Sequence, residues 1–80
     1  MYADYTFYVG PFYGSAISMV DFPRLALRAS RFLDYYTMNR VKDYAKDEAV
    51  KMACCAVAEA YQSVERAEAK AGITGESVGS

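Results

Sequence analysis

Residues 22–36 read Phe22-Pro-Arg-Leu-Ala-Leu-Arg-Ala-Ser-Arg-Phe-Leu-Asp-Tyr-Tyr36, and their spacing decides the fold. Apolar side chains fall at Phe22, Leu25, Ala26, Ala29, Phe32, Leu33 and Tyr36. Steps of three and four residues are the repeat of one face of an α-helix. A stripe of that length must be buried against another surface. The comparable partner is the Ala-rich stretch Asp47–Ala71 downstream. The spacing therefore predicts an all-α chain, a small bundle on two main antiparallel helices at about residues 22–37 and 46–71.

Two starts are open to the first helix. Ser18-Met-Val-Asp21 fits a capping box with Asp in place of Glu, but a start there puts Pro23 at the fifth helical position, where it deletes a backbone hydrogen bond. With Asp21 as N-cap, Pro23 lies in the first turn at no cost, and this later start is preferred. The opposite face carries Arg24, Arg28 and Arg31 in one ridge. The ridge reads either as a solvated face with local pairs, such as Arg31 to Asp34, or as a surface for an anion or partner. Guanidinium suits desolvated, bidentate contacts.

Tyr36 to Lys46 is the connection, and Asp43 or Asp47 can cap the next helix. This second helix spans about 38 Å at 1.5 Å per residue. Lys70 complements its C-terminal dipole, Gly72 can stop it, and Ile73 can pack back on the stop. From Ala49 to Tyr61 it is apolar nearly all round, with mostly Ala and Cys side chains. Small residues allow close approach, so Phe22, Leu25, Phe32 and Leu33 fill the space against them. One helix and one arm cannot cover every side of that segment. A further segment or a neighbouring copy is expected there, with Met52 and Ala56 as candidate interface positions.

Ahead of the first helix, Tyr2, Tyr5, Phe7, Tyr8, Phe12 and Tyr13 crowd into a short arm broken by Gly10-Pro11 and Gly14. Tyr5, Phe7 and Val9 alternate, which predicts an extended segment. Either the arm packs over the helices and completes the core, or Tyr5, Tyr8 and Tyr13 lie at a subunit interface, where amphipathic rings are favoured. Thr74–Ser80 is rich in Gly and Ser and reads as a flexible tail.

Eighty residues make one small domain with little surplus stability, and such scaffolds lean on disulfides, metals or oligomers. Cys54 and Cys55 are adjacent in a helix and point about 100° apart, so a bond between them demands unusual geometry. The chain has no His, so a zinc site has almost no ligands and an imidazole base has no candidate. Oligomerisation remains. Unpaired thiols and no signal-peptide pattern predict synthesis in a reducing cytoplasm, and no run is long enough to span a membrane. The net charge of −1 argues against a nucleic-acid binder built on the Arg24, Arg28, Arg31 ridge. No P-loop, dinucleotide fingerprint or Cys-x-x-Cys occurs, and no catalytic, metal or cofactor-binding residue is assigned. The expectation is a non-enzymatic protein.

The order of motifs resembles the head–tail connector, or adaptor, proteins of long-tailed phages and prophages. Ala29-Ser30-Arg-Phe-Leu33-Asp34-Tyr-Tyr-Thr37 is similar to an Ala-Ser-x-x-[IL]-Asp-x-x-Thr core that leads into a loop in that family. Val50-Lys-Met-Ala-Cys-Cys-Ala-Val-Ala-Glu59 resembles the following helix, and the tyrosine-rich opening with Gly14 also fits. The likeness covers about residues 2–72 and implies a division into an aromatic arm (1–18), a helical connector domain (19–72) and a tail (73–80). It implies a structural subunit of a ring, of about twelve copies, docked on the portal protein at the virion's head–tail junction. The ring binds the next head-closure or tail component, passes DNA only through its channel, and needs no cofactor and no membrane. Members usually continue into an extended stretch and a last helix, so the resemblance implies a chain truncated at Ser80. The alternative is a stand-alone helical module that dimerises through Ala49–Tyr61.

Overall fold

The computed structural model describes residues 1–71, so Gly72, Ile73 and the tail 73–80 lie outside the described residues. Three helices appear: α1 (Tyr5–Val9), α2 (Phe22–Tyr36) and α3 (Glu48–Ala71), with a 3₁₀ turn at Arg40–Tyr44. There is no strand among the described residues, and α2 and α3 form the main packed pair. They run antiparallel: Arg24 near the start of α2 meets Glu65 late in α3, while Ser30 further along meets Cys54.

The N-terminal arm is helical where alternation predicted an extended segment. Asp4 is the reason. Its carboxylate accepts from the Phe7 N–H at 2.8 Å, and its carbonyl accepts from the Tyr8 N–H at 3.0 Å. This N-cap satisfies donors that an extended arm would leave to water. The helical turn also places Tyr5 and Tyr8 on one face, against Phe22 at 5.8 and 4.9 Å between ring centroids. Burial on that face outweighs the weak strand preference of the alternating residues.

Helix α2 starts as the Pro23 argument requires. Ser18 forms the preceding turn, its hydroxyl accepting from the Asp21 N–H at 3.2 Å and its carbonyl from the Phe22 N–H at 2.9 Å. Phe22, Leu25, Ala26, Ala29 and Leu33 form the buried face. Ser30 joins them at 5% exposure because its polar capacity is met internally. Its hydroxyl donates to the Ala26 carbonyl at 2.8 Å and accepts from the Tyr2 N–H at 3.0 Å.

Phe32 and Tyr36 leave the predicted core stripe. Phe32 lies about 80° round the helix from Phe22, at the edge of the buried face, and reaches Tyr61 edge-on at 6.3 Å. Tyr36 stands where the chain turns away. It stacks on Phe32 at 5.8 Å and stays 75% exposed. The turn is made by Met38 and Asn39, both in the left-handed region with φ of 54° and 67°. Thr37 anchors it, donating to the Leu33 carbonyl at 2.7 Å and accepting from the Val41 N–H at 3.2 Å.

Helix α3 begins under Asp47, whose carbonyl accepts from the Val50 and Lys51 N–H groups. Cys54, Cys55 and Ala58 are fully buried. Their small side chains let α2 approach until the Cys54 sulfur lies 3.7 Å from the Ala26 carbonyl. Burial pushes the Cys55 thiol up to about 12, so it packs as an inert group.

Candidate assembly surface

The residues singled out for an interface fall into three environments. Tyr8 is internal at 0% exposure, so it is a core residue and not a contact for another subunit. Its hydroxyl donates to Glu59 Oε2 at 2.8 Å and accepts from the Ala16 and Ile17 N–H groups, each at 2.9 Å. A phenol has one proton to give and two lone pairs, so this group is complete. Burial and the bond to Glu59 raise its pKa. Gly14 lies directly on the ring: a Cβ there would sit 2.1 Å from Tyr8 Cε1. Tyr5 is half-buried beside Tyr8.

Arg24 and Arg28 converge on one carboxylate. Both pair with Glu65, at 2.9 and 2.7 Å, and the Arg28 guanidinium also lies 4.3 Å from the Tyr61 ring centroid. The bond from Arg24 holds the Glu65 carboxyl below its ordinary value. These two arginines thus tie α2 to α3. Asp34, expected as a partner for Arg31, instead takes the Tyr2 hydroxyl, and burial with that bond pushes the Tyr2 phenol up to about 12. Arg31 is exposed, outside the ion pairs seen among the described residues.

Tyr13, Met52 and Ala56 point outward to different degrees. Tyr13 is 87% exposed on a left-handed residue, φ 58°. Met52 is half-buried and Ala56 exposed on the outer side of α3. The structure does not bring Tyr13 to the other two.

The larger uncovered surface joins part of the Ala49–Tyr61 segment, expected to need a further partner, to Phe32 and Tyr36 of the supposed core stripe and to residues of the connection. Phe32, Val57, Ala60, Tyr61 and Val64 line an apolar groove of about 280 Å³ between α2 and α3. Tyr36, Met38, Val41, Tyr44 and Val50 border a second, open groove of about 560 Å³ at the turn. The Phe32–Tyr36 stack, nearly parallel at 14°, bridges the two. A signal for this was present: Tyr35 and Tyr36 are adjacent on one helix and cannot both face α3. Isolated exposed apolar residues are ordinary, but a continuous band of them marks a contact surface.

Chemically the band offers mainly apolar burial, with Arg40 and Asp47 as its charged residues at the margin of the turn. Of the polar residues lining the turn groove, Thr37 is engaged through its hydroxyl by the Leu33 carbonyl and the Val41 N–H. Among the described residues no group of three His, Cys, Asp or Glu side chains could hold a metal ion, and no helix is long and apolar enough to cross a membrane. Comparison with models of protein families, with curated proteins and with solved structures finds no match for this chain.

Proposed function

We propose that this protein is a non-enzymatic structural subunit of a phage or prophage head–tail connector, acting at the portal vertex between the DNA-filled head and the tail. The observation that carries the reading is the uncovered apolar band from Tyr44 and Tyr36 to Val64. It belongs to a chain whose 21–40 and 47–59 stretches resemble those of connector subunits. Such a band suits a subunit completed by neighbours in a ring and by the portal protein. On this reading the protein works at the virion's head–tail junction after synthesis in the bacterial cytoplasm, and it uses no cofactor.

The test is co-sedimentation of the full chain with assembled portal rings. Binding is expected, and Tyr36→Glu or Val64→Glu should weaken it at unchanged helix content. No co-sedimentation at concentrations of about 100 µM would overturn the connector reading. A second reading, a stand-alone interaction module, is favoured by the exposed side of α3 at Ala49 and Ala56. It predicts self-association with no affinity for portal rings.

A further inference from the structure

The backbone hydrogen bonds of the N-terminal arm all close within the arm, from the Tyr8 N–H on the Asp4 carbonyl to the Gly14 N–H on the Tyr8 carbonyl. Every hydrogen bond that fastens it to the helices has a side chain on at least one end. The Tyr2 N–H donates to Ser30 Oγ at 3.0 Å, and the Tyr2 hydroxyl to Asp34. On α3 the fastenings follow one ridge. Lys51 lies 5.6 Å from the Phe7 ring centroid, Glu59 accepts from the Tyr8 hydroxyl, and Gln62 donates to the Ala16 carbonyl. Cys55 sits in that ridge, one turn from Lys51 and one turn from Glu59, and is fully buried there. Its neighbour Cys54 faces α2, with its sulfur 3.7 Å from the Ala26 carbonyl. The helix pair keeps contacts of its own, with Arg24 and Arg28 on Glu65 and Phe32 against Tyr61. Between the arm and α2, Ser18, Met19, Val20 and Asp21 are all exposed. The bonds that start α2 reach back only as far as Ser18.

We propose that residues 1–17 form a strap that lifts off the helix pair as one unit, hinged at residues 18–21, and that lifting it unmasks the Cys55 thiol. Opening breaks no backbone–backbone bond between arm and helices, so its cost is confined to side-chain contacts. That cost is still large, because Tyr8 and Ile17 leave the core with the arm and the Tyr5 and Tyr8 rings part from Phe22. The open form is therefore a rare state of the free chain. The short, exposed hinge is of the kind that absorbs a change of backbone angle. With the strap closed, burial keeps the Cys55 thiol protonated and inert. With it open, Lys51 and Glu59 flank the sulfur with opposite charges, which leaves a thiol of ordinary reactivity toward disulfides. Opening also bares the Phe22 ring, which nothing on the surface of the closed form reveals. The device stands whether the protein is a connector subunit or a separate module.

The experiment is native-state amide hydrogen exchange of the unaltered chain across low urea concentrations, read residue by residue by NMR. The amides of Tyr8, Gly10, Phe12 and Gly14 should share one opening equilibrium with a shallow urea dependence. Those of Ala29 in α2 and Ala58 in α3 should exchange less often, with the steep dependence of global unfolding. The thiol gives a second readout. In C54A, which leaves Cys55 as the one cysteine, an aryl disulfide reagent should modify Cys55 at the shallow urea dependence of the arm amides. Each modification forms a mixed disulfide and releases one aryl thiolate. Adding Tyr8→Phe, which loosens the strap, should raise that rate about thirtyfold. One common urea slope for arm and helix amides would overturn the strap, as would arm amides with unrelated opening equilibria. So would Cys55 modification that tracks global unfolding. The exchange measurement needs no substitution, so it decides the matter even if C54A folds poorly.

Discussion

Residues 1–12 and residues 32–44 are both rich in aromatic side chains, and the fold handles them in opposite ways. In the first region Tyr8 is fully buried, packed against Phe22 and Phe12 and hydrogen-bonded through every valence of its hydroxyl. In the second, Tyr35, Tyr36 and Tyr44 remain 86%, 75% and 59% exposed. Composition does not separate the two. Local backbone does. Asp4 caps a turn that folds the first set of rings onto α2, and Gly14 lets the returning chain lie flat on Tyr8. At the other end Met38 and Asn39 turn the chain away before anything covers Tyr36. The first region supplies stability; the second presents surface.

The sharpest contrast comes from truncating one ring on each side. Phe22→Ala should cost about 3–5 kcal/mol and leave the chain largely unfolded at room temperature, whereas Tyr36→Ala should change stability by less than about 0.5 kcal/mol. Urea titration followed by circular dichroism reads both, and comparable losses would erase the distinction. Gly14→Ala should come next, at about 2–3 kcal/mol, because its methyl group must displace the Tyr8 ring. An unshifted melting temperature would show that the ring has room to move. Tyr8→Phe keeps the packing but strips Glu59 and the Ala16 and Ile17 N–H groups of their partner, at about 2 kcal/mol.

The buried side should also be the alkali-sensitive one. The Tyr2 phenol and Cys55 thiol both stand at about 12 in the folded chain, above their ordinary values of 10.0 and 9.0. A raised folded pKa favours the native state while the group stays protonated in both states. That contribution is present below pH 9 and is lost as pH rises toward 12. Tyr2→Phe should flatten part of that loss above pH 10 in a pH series of thermal melts, and an unchanged slope would remove Tyr2 from the account. The smallest effect lies on the exposed side. Met38→Gly relieves a left-handed residue and should raise stability by about 0.5 kcal/mol. If the melting temperature falls instead, Met38 is packing that its 73% exposure does not suggest.

Much of this architecture could be read from residue spacing, and the misses have physical causes. The α2 and α3 pairing, the Pro23-limited start of α2 and the small-residue contact at Cys54 all follow from local periodicity and cap chemistry. Helix α1 did not, because alternation and a capped turn compete over a few residues and burial against Phe22 decides between them. The Glu65 clamp and the Tyr8–Glu59 bond join residues 37 to 51 positions apart, which no short-range pattern encodes. Ser30 reads as polar, and only its two internal partners make it a core residue. As for the surface, the apolar sides of Ala49–Tyr61 were visible as a surplus, but the band at Phe32 and Tyr36 was hidden inside a stripe that looked wholly internal.

The bond between Tyr8 and Glu59 also sets a clock. Tyr8 and its aromatic neighbours leave the ribosome before Glu59, the acceptor for the Tyr8 hydroxyl, which is 51 positions later in the chain. At typical synthesis rates of about 5–20 residues per second, those rings wait roughly 3–10 s for their partner. During that interval the nascent chain shows its stickiest segment with no lid. Its yield in a cell should therefore respond to translation speed and to chaperone supply as strongly as to the stability of the finished fold.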